Sequence, residues 1–215
     1  MLKEQKLARD FGRRFHLATE LARRALCEGR AEQEPGITDR MIGAVEALFD
    51  GQSDKSVTWS AKTLTDRGPN AQEKLYGADF LGVLSIDVGG YRVTKGFLAQ
   101  AKMSHITSNY ERVRLLKQCE KMLSVSPASF VFLYSPRSFR IVPAISVLAS
   151  DGYCNQLYTR SVERFFEMHF ECYVGDRKLS SPSANTLEQV ADQYQTRSAF
   201  YINPLVAKIQ PLIPS

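Results

Sequence analysis

Three polar side chains in the middle of the chain have the types and spacing that suit phosphodiester hydrolysis. Asp79 begins a β run, and Gln100 and Lys102 lie two positions apart near the end of the next run. Side chains two apart on a strand leave the same face of the sheet, so Gln100 and Lys102 share a face. Such hydrolysis needs a hard divalent cation held by oxygen ligands, and a nearby lysine orients the water or stabilises charge. These residues therefore predict a metal-assisted hydrolytic site.

A predicted β-hairpin brings these residues together. Two β runs flank Gly89-Gly90, and such a pair between β runs is typical of a tight turn. Asp79 lies ten residues before this pair and Gln100 ten residues after it, so antiparallel pairing makes them near cross-strand neighbours. The main-chain carbonyl of Ala101 is a further candidate oxygen ligand, and Glu73, in a predicted short helical stretch, can face the same cavity.

The setting of Gln100 favours a site over a purely structural role. The stretch 97–101 (FLAQA) is otherwise apolar, and a polar amide in such a strand requires a partner, which a cation or a water molecule supplies. The alternative is that Asp79 and Glu73 are solvated acids at loop ends, while Lys102 is a strand-end charge that discourages edge pairing.

Residues 73–102 (EKLYGADFLGVLSIDVGGYRVTKGFLAQAK) resemble the catalytic hairpin of the PD-(D/E)xK, or restriction-endonuclease-like, nucleases. They are most similar to the QxK variants found in nuclease domains of bacterial anti-phage defence and restriction systems. The resemblance implies that Glu73, Asp79 and Gln100 are ligands of Mg²⁺ or Mn²⁺. It also implies that Lys102 is the catalytic lysine and that the fold is a restriction-endonuclease-like mixed β-sheet flanked by helices.

The chain departs from the family pattern at two places. Gln100 stands where a carboxylate is more usual, which lowers the charge of the site. RecB-like members carry QxxxY on the following helix. Here Met122, four residues after Gln118, stands in place of the tyrosine. Gln118 nevertheless lies on the predicted buried side of that helix, so it is a candidate for contact with the site.

Other polar residues are weaker candidates. His105 can contact phosphate or water, or it is simply an exposed loop histidine. Glu46, on the predicted second helix, can join the metal site as an early-helix acid in related nucleases does, although a surface acid is the alternative. Trp59 and Tyr91 have rings that can stack on bases.

The first helix is predicted over residues 1–30 and carries most of the chain's excess positive charge. Its apolar stripe falls at spacings of three and four: Leu7, Phe11, Phe15, Ala18, Ala22 and Ala25. Arg9 and Arg13 belong to its basic side. That side is either a solvated face or a surface that contacts phosphates.

The remaining elements indicate a single α/β domain. We expect a helical N-terminal part over 1–50, whose second helix is capped by Thr38, and a loop over 51–70. A catalytic core follows over about 70–150, and then a helical C-terminal part over 155–215 whose last segment has no clear pattern. Helices that alternate with a hairpin and further strands are typical of a mixed sheet flanked by helices.

Composition, charge and cysteine spacing exclude several classes of protein. Apolar residues make up 44% of the chain, which excludes disordered and collagen-like classes, and the net charge of +5 permits nucleic acid as a partner. The four cysteines form no CxxC pair and no export signal is evident, so we expect reduced thiols and a cytoplasmic location.

The expected activity is that of a Mg²⁺- or Mn²⁺-dependent endonuclease acting on DNA, as a bacterial defence or restriction effector. Two alternatives stay open: a catalytically inactive nucleic-acid-binding or scaffold module of the same fold, and a metal-dependent enzyme that cleaves RNA. Control by a regulatory or sensor protein, and assembly as a dimer, are left open by the sequence.

Overall fold

The computed structural model describes residues 5–54, 57–65, 75–88, 91–106 and 108–206. These ranges contain the α-helices α1 (Gln5–Cys27), α2 (Glu34–Phe49), α3 (Asn109–Val125), α4 (Ala144–Ala149), α5 (Val162–Phe170) and α6 (Leu187–Gln193). They contain the strands β1 (Ser53–Asp54), β2 (Val57–Leu64), β3 (Phe80–Val88), β4 (Tyr91–Met103), β5 (Ser129–Tyr134), β6 (Arg140–Pro143), β7 (Arg160–Ser161) and β8 (Ser198–Val206). Within the same ranges, no helix has both the length and the apolar character needed to span a membrane.

The described strands form a mixed sheet in the order β1-β2-β8-β3-β4-β5-β6-β7. β3 and β4 are an antiparallel hairpin in which Phe80 lies opposite Ala99 and Val88 opposite Tyr91. β5 follows through α3 and is parallel to β4, while β8 is parallel to β3. The predicted α/β class with a mixed sheet and flanking helices is therefore confirmed, and so is the hairpin.

Aromatic side chains fill the space between one face of the sheet and the helices α1, α2 and α5. Phe15 of α1 stacks on Phe166 of α5 with ring centroids 3.4 Å apart, and Phe97 of β4 meets Phe165 and Phe166 edge-on. The predicted stripe of α1 faces this core: Phe11, Phe15, Ala18, Ala22 and Ala25 are buried, and Leu7 is partly buried.

The opposite face of β4 carries the candidate site residues. Because Phe97 and Phe132 turn toward α5, the residues that alternate with Phe97 along β4, which include Gln100 and Lys102, turn to the other face. α3 packs on β4 and β5 and against α4, and α5 already occupies the aromatic face of these strands. The site residues and α3 therefore share a side of the sheet.

The predicted loop over 51–70 is wrong for the part that forms β2. Val57, Trp59 and Ala61 are buried and alternate with more exposed residues, which is the period of a half-buried strand. Polar composition masked this alternation, and the partner strand β8 lies far away in the sequence. Trp59 is only 1% exposed, so it cannot stack on bases.

Two further expectations are corrected. α2 begins at Glu34 rather than at Thr38, because Pro35 suits the first turn. Thr38 is instead buried inside α2, where its hydroxyl donates to the Glu34 carbonyl and contacts Tyr134 Oη at 3.0 Å. The C-terminal part is not wholly helical, since it contributes β8 between β2 and β3.

Candidate functional site

Asp79 is fixed at the entrance to the hairpin by its main chain. Its N–H donates to the carbonyl of Ala99 at 2.7 Å, and its carbonyl accepts from the N–H groups of Arg197 and Ser198 at 3.0 and 3.2 Å. It lies in the bend immediately before β3 rather than inside the strand. These bonds tie the residue to β4 on one side and to β8 on the other, so its main chain has a defined position.

The Asp79 carboxylate contacts the neighbouring strand at the predicted position. Asp79 Oδ2 accepts from the main-chain N–H of Ala101 at 2.8 Å and from the side-chain amide of Gln100. The Gln100 amide nitrogen also donates to the carbonyl of Ala101 at 2.9 Å. The expectation that Asp79 and Gln100 are cross-strand neighbours is confirmed.

Two buried amide oxygens, one on β4 and one on α3, lack a hydrogen-bond partner in the protein. Among the side chains that the structure describes, the buried oxygen atoms without a partner are Gln100 Oε1 and Gln118 Oε1. Gln100 is 1% exposed and Gln118 is 7% exposed. An amide oxygen removed from water without a partner costs about 1–3 kcal/mol. Such atoms need a reason to persist, and a bound ion or water is the usual one.

A glycine lets the segment before Asp79 approach α3. Gly77 has a φ of 73°, and a Cβ atom there would lie 2.5 Å from the carbonyl oxygen of Gln118. A side chain at Gly77 would therefore collide with the backbone of α3. It would also be strained, because residues with a Cβ atom rarely adopt a positive φ. The close approach places the entrance to the hairpin against the helix that carries Gln118.

Lys102 is buried at the end of β4 and is paired with an acid that the sequence did not predict. Its Nζ lies 3.7 Å from Glu34 Oε2, and Glu34 Oε1 accepts from the main-chain N–H of Met103 at 3.0 Å. The early-helix acid beside the site is thus Glu34 and not Glu46, which instead accepts from the hydroxyl of Thr63. The Glu-Pro pair at a helix start was an available signal, because acids and proline favour the first helical turn.

The other predicted site residues are distributed more widely. Glu73 lies outside the described residues. His105 is exposed and lines a cavity beyond the end of β4. Arg9 and Arg13 are exposed on α1, which packs on the aromatic face, so the structure does not bring them to Gln100 and Lys102. Tyr91 is partly exposed at the far end of the hairpin, where its hydroxyl contacts Cys172 Sγ at 3.3 Å.

The donor set suits a hard cation but carries little charge. Within the described ranges, no group of three or more histidine, cysteine or acidic side chains converges as a metal site. Asp79 supplies a carboxylate, Gln100 an amide oxygen and Ala101 a main-chain carbonyl, and all three are oxygen ligands of the kind that Mg²⁺ and Mn²⁺ accept. Gln100 Oε1 is the atom of this set that has no partner among the described residues.

Comparison of the chain with protein-family models, with curated proteins and with solved structures gives no match.

Proposed function

We propose that the chain is a metal-dependent nuclease that hydrolyses phosphodiester bonds in DNA. The observation that carries the proposal is the buried, unpartnered Gln100 Oε1 beside the Asp79 carboxylate, on the strand that also presents the buried Lys102. A buried amide oxygen without a partner in the protein is a position where a cation would gain a ligand.

In this proposal Asp79, Gln100 and the carbonyl of Ala101 hold Mg²⁺ or Mn²⁺, with Glu73 as a further ligand. When bound, the cation activates water and neutralises charge on the phosphate. Ala101 also orients the Asp79 carboxylate, because its N–H donates to Asp79 Oδ2 at 2.8 Å.

Lys102 is the residue that orients the attacking water and stabilises the negative charge that develops on the phosphate. Burial removes competing solvent from around its ammonium group, so its interaction with a developing negative charge is strengthened. Glu34 is a positioning residue: its Oε2 lies 3.7 Å from Lys102 Nζ, while the Met103 N–H fixes its other oxygen. An early-helix acid therefore sets the direction of the lysine instead of binding the cation.

The order of elements supports a relationship to restriction-endonuclease-like nucleases. The hairpin β3-β4 leads through α3 to β5, which is parallel to β4, so the Asp-bearing and QxK-bearing segments occupy neighbouring strands. Kinship with nucleases of bacterial defence or restriction systems is proposed from the QxK hairpin alone.

A second candidate is a catalytically inactive nucleic-acid-binding or scaffold module. The observation that favours it is the low charge of the site, since Asp79 is the carboxylate that the described residues place beside Gln100 and its Oδ2 already accepts two N–H bonds. In that case Lys102 and the half-buried Glu34 form an ion pair that stabilises the strand end.

The test is incubation of the purified protein with plasmid, linear duplex DNA, single-stranded DNA and RNA, each with Mg²⁺, with Mn²⁺ and with a chelator. We expect DNA cleavage that requires the cation and that is lost in the chelator. Lys178→Ala, at an exposed lysine outside the site, is the control for loss of positive charge and should cut as the wild type does. Cleavage of RNA alone would replace the DNA assignment, and binding without cleavage of any substrate would favour the inactive module.

A further inference from the structure

A polar cavity of about 520 Å³ lies beyond the end of β4 and takes no part in the proposed metal site. It is enclosed by residues 104–106, the first turn of α3 and the turn 152–155. Its volume is within the range of sites that hold small organic ligands. It lies outside the carboxyl ends of the parallel strands β4 and β5, where ligands of open α/β sheets usually bind.

Arg112 is held in a fixed position at this cavity. Its guanidinium group lies over the ring of Tyr153, 4.4 Å from the ring centroid, and its Nη2 donates to Asn109 Oδ1 at 2.6 Å. Its aliphatic stem occupies the space above Gly152, where a Cβ atom would lie 2.5 Å from Arg112 Cγ. Arg112 has therefore already lost its side-chain freedom in the folded protein, so binding an anion costs little further conformational entropy.

The charge of Arg112 is fixed but not neutralised by a neighbouring acid. In the part of the chain that the structure describes, no carboxylate forms an ion pair with it. A guanidinium group that is held over an aromatic ring presents its N–H edge for paired hydrogen bonds, and phosphate is an anion that fits this geometry.

A second cavity, of about 280 Å³, continues from the first. The two cavities share Ser104, Cys154 and Asn155 in their walls, and the second contributes another cation, Arg140. Two adjoining cavities with one arginine each form a track rather than a closed pocket. Such a track suits a chain of phosphates better than a single small anion.

Exposed aromatic rings accompany the track. Tyr153 lines the first cavity and is 43% exposed, and Tyr158, between two residues that line the second cavity, is 86% exposed. Arginines interleaved with exposed aromatic rings are the usual means of binding single strands, whose unpaired bases can stack on the rings. Bases inside a duplex are already stacked and cannot reach such surfaces.

We infer that these adjoining cavities bind single-stranded DNA, with Arg112 and Arg140 on successive phosphates and Tyr153 stacked on an unpaired base. Ser104 follows Lys102 by two residues, about 7 Å along the strand, so the bound strand leads toward the metal site. The inference rests on the proposed nuclease function and names its substrate as an unpaired strand.

The test measures binding without hydrolysis, using a fluorescent oligothymidine and fluorescence anisotropy in a chelator at several salt concentrations. Arg112→Gln should weaken binding about tenfold and reduce the slope of log Kd against log salt by about 0.7. Tyr153→Ala should weaken binding about 5- to 100-fold, and Tyr153→Phe should restore it, because the ring is kept. Arg114→Gln removes the same charge from an exposed position on the same helix and should change neither quantity beyond twofold.

The outcomes separate this inference from the nuclease proposal. If the oligonucleotide binds and the variants weaken it as expected while no substrate is ever cleaved, the track stands and the nuclease proposal fails. If DNA is cleaved but Arg112→Gln and Tyr153→Ala keep the wild-type Kd and salt slope, the track is overturned. Absence of binding, or equal or tighter binding of duplex DNA or of RNA, would also overturn it.

Discussion

β4 carries two buried lysines whose surroundings differ in kind. Lys95, 3% exposed, donates to the carbonyls of His169 and Val174, the latter at 2.8 Å. Lys102, 7% exposed, has a carboxylate at 3.7 Å and lies beside Gln100, whose amide oxygen has no partner. Carbonyls at hydrogen-bonding distance satisfy Lys95 within the core, whereas Lys102 keeps donor capacity for a further group.

The two lysines also lie on opposite faces of the strand. Lys95 shares the aromatic face with Phe97, and its amine donates to the carbonyl of His169, in the last turn of α5, and to that of Val174, just beyond the helix. Lys102 shares the other face with Gln100. Burial by itself therefore does not indicate a functional lysine. The groups that contact the amine distinguish the two lysines, and the same substitution at both positions tests this difference most directly.

Lys102→Met is expected to have the largest effect. In the proposed mechanism it removes the group that orients water or stabilises charge, so the cleavage rate should fall about 10²- to 10³-fold. The free energy of unfolding should change by less than about 1 kcal/mol, because the lost ion pair is a single long contact. Rates from initial-velocity assays and midpoints from urea unfolding measure the two effects. Wild-type cleavage by the folded variant would remove Lys102 from the mechanism.

Lys95→Met should show the reverse pattern. It removes the Lys95 hydrogen bonds to the carbonyls of His169 and Val174 inside the core, so we expect a loss of about 1–3 kcal/mol in the free energy of unfolding. The cleavage rate of the folded fraction should stay within twofold of the wild type. A rate loss as large as that of Lys102→Met, at full stability, would show that the two lysines do not differ as described.

The sequence predicted the part of the site that depends on local pairing. Asp79 and Gln100 are equally far from a Gly-Gly turn, so one hairpin is enough to bring them together. Glu34 could not be predicted in the same way, because its place beside Lys102 depends on how α2 packs against the end of β4. β8 was missed for a related reason: its short apolar run contains Pro204, and only pairing with β2 and β3 makes it a strand.

Glu34→Gln should reduce the cleavage rate by about tenfold without changing the metal dependence. The amide keeps the size of the side chain but loses the charge that holds Lys102 Nζ, and a tenfold change equals about 1.4 kcal/mol. Glu46→Gln is the matched control, because Glu46 contacts Thr63 and not the site. A large change in the apparent metal affinity of Glu34→Gln would indicate that Glu34 is a ligand instead of a positioning residue.

His169, whose carbonyl accepts from Lys95, is expected to make the free energy of unfolding depend on pH. Burial lowers the pKa of His169 well below its ordinary value, and the charge of Lys95 lowers it further. The unfolded chain therefore binds a proton below about pH 6.5 that the folded chain does not bind, so stability falls as the pH decreases through that range. Urea unfolding between pH 7 and pH 5 should show a shallower decline for His169→Gln than for the wild type. An identical decline in the two proteins would mean that His169 is not the source.

In the proposed site Gln100 Oε1 is a ligand of the cation. Calorimetric titration of Mn²⁺ into the wild type, Gln100→Glu and Gln100→Ala tests it directly, with Gln193→Glu as the control for added charge at an exposed position. Hard cations bind largely by charge, so Gln100→Glu should bind Mn²⁺ at least tenfold more tightly than the wild type and remain partly active. Gln100→Ala should bind more weakly than the wild type and lose most activity, while Gln193→Glu should match the wild type. The same Mn²⁺ affinity in all four proteins would contradict the account.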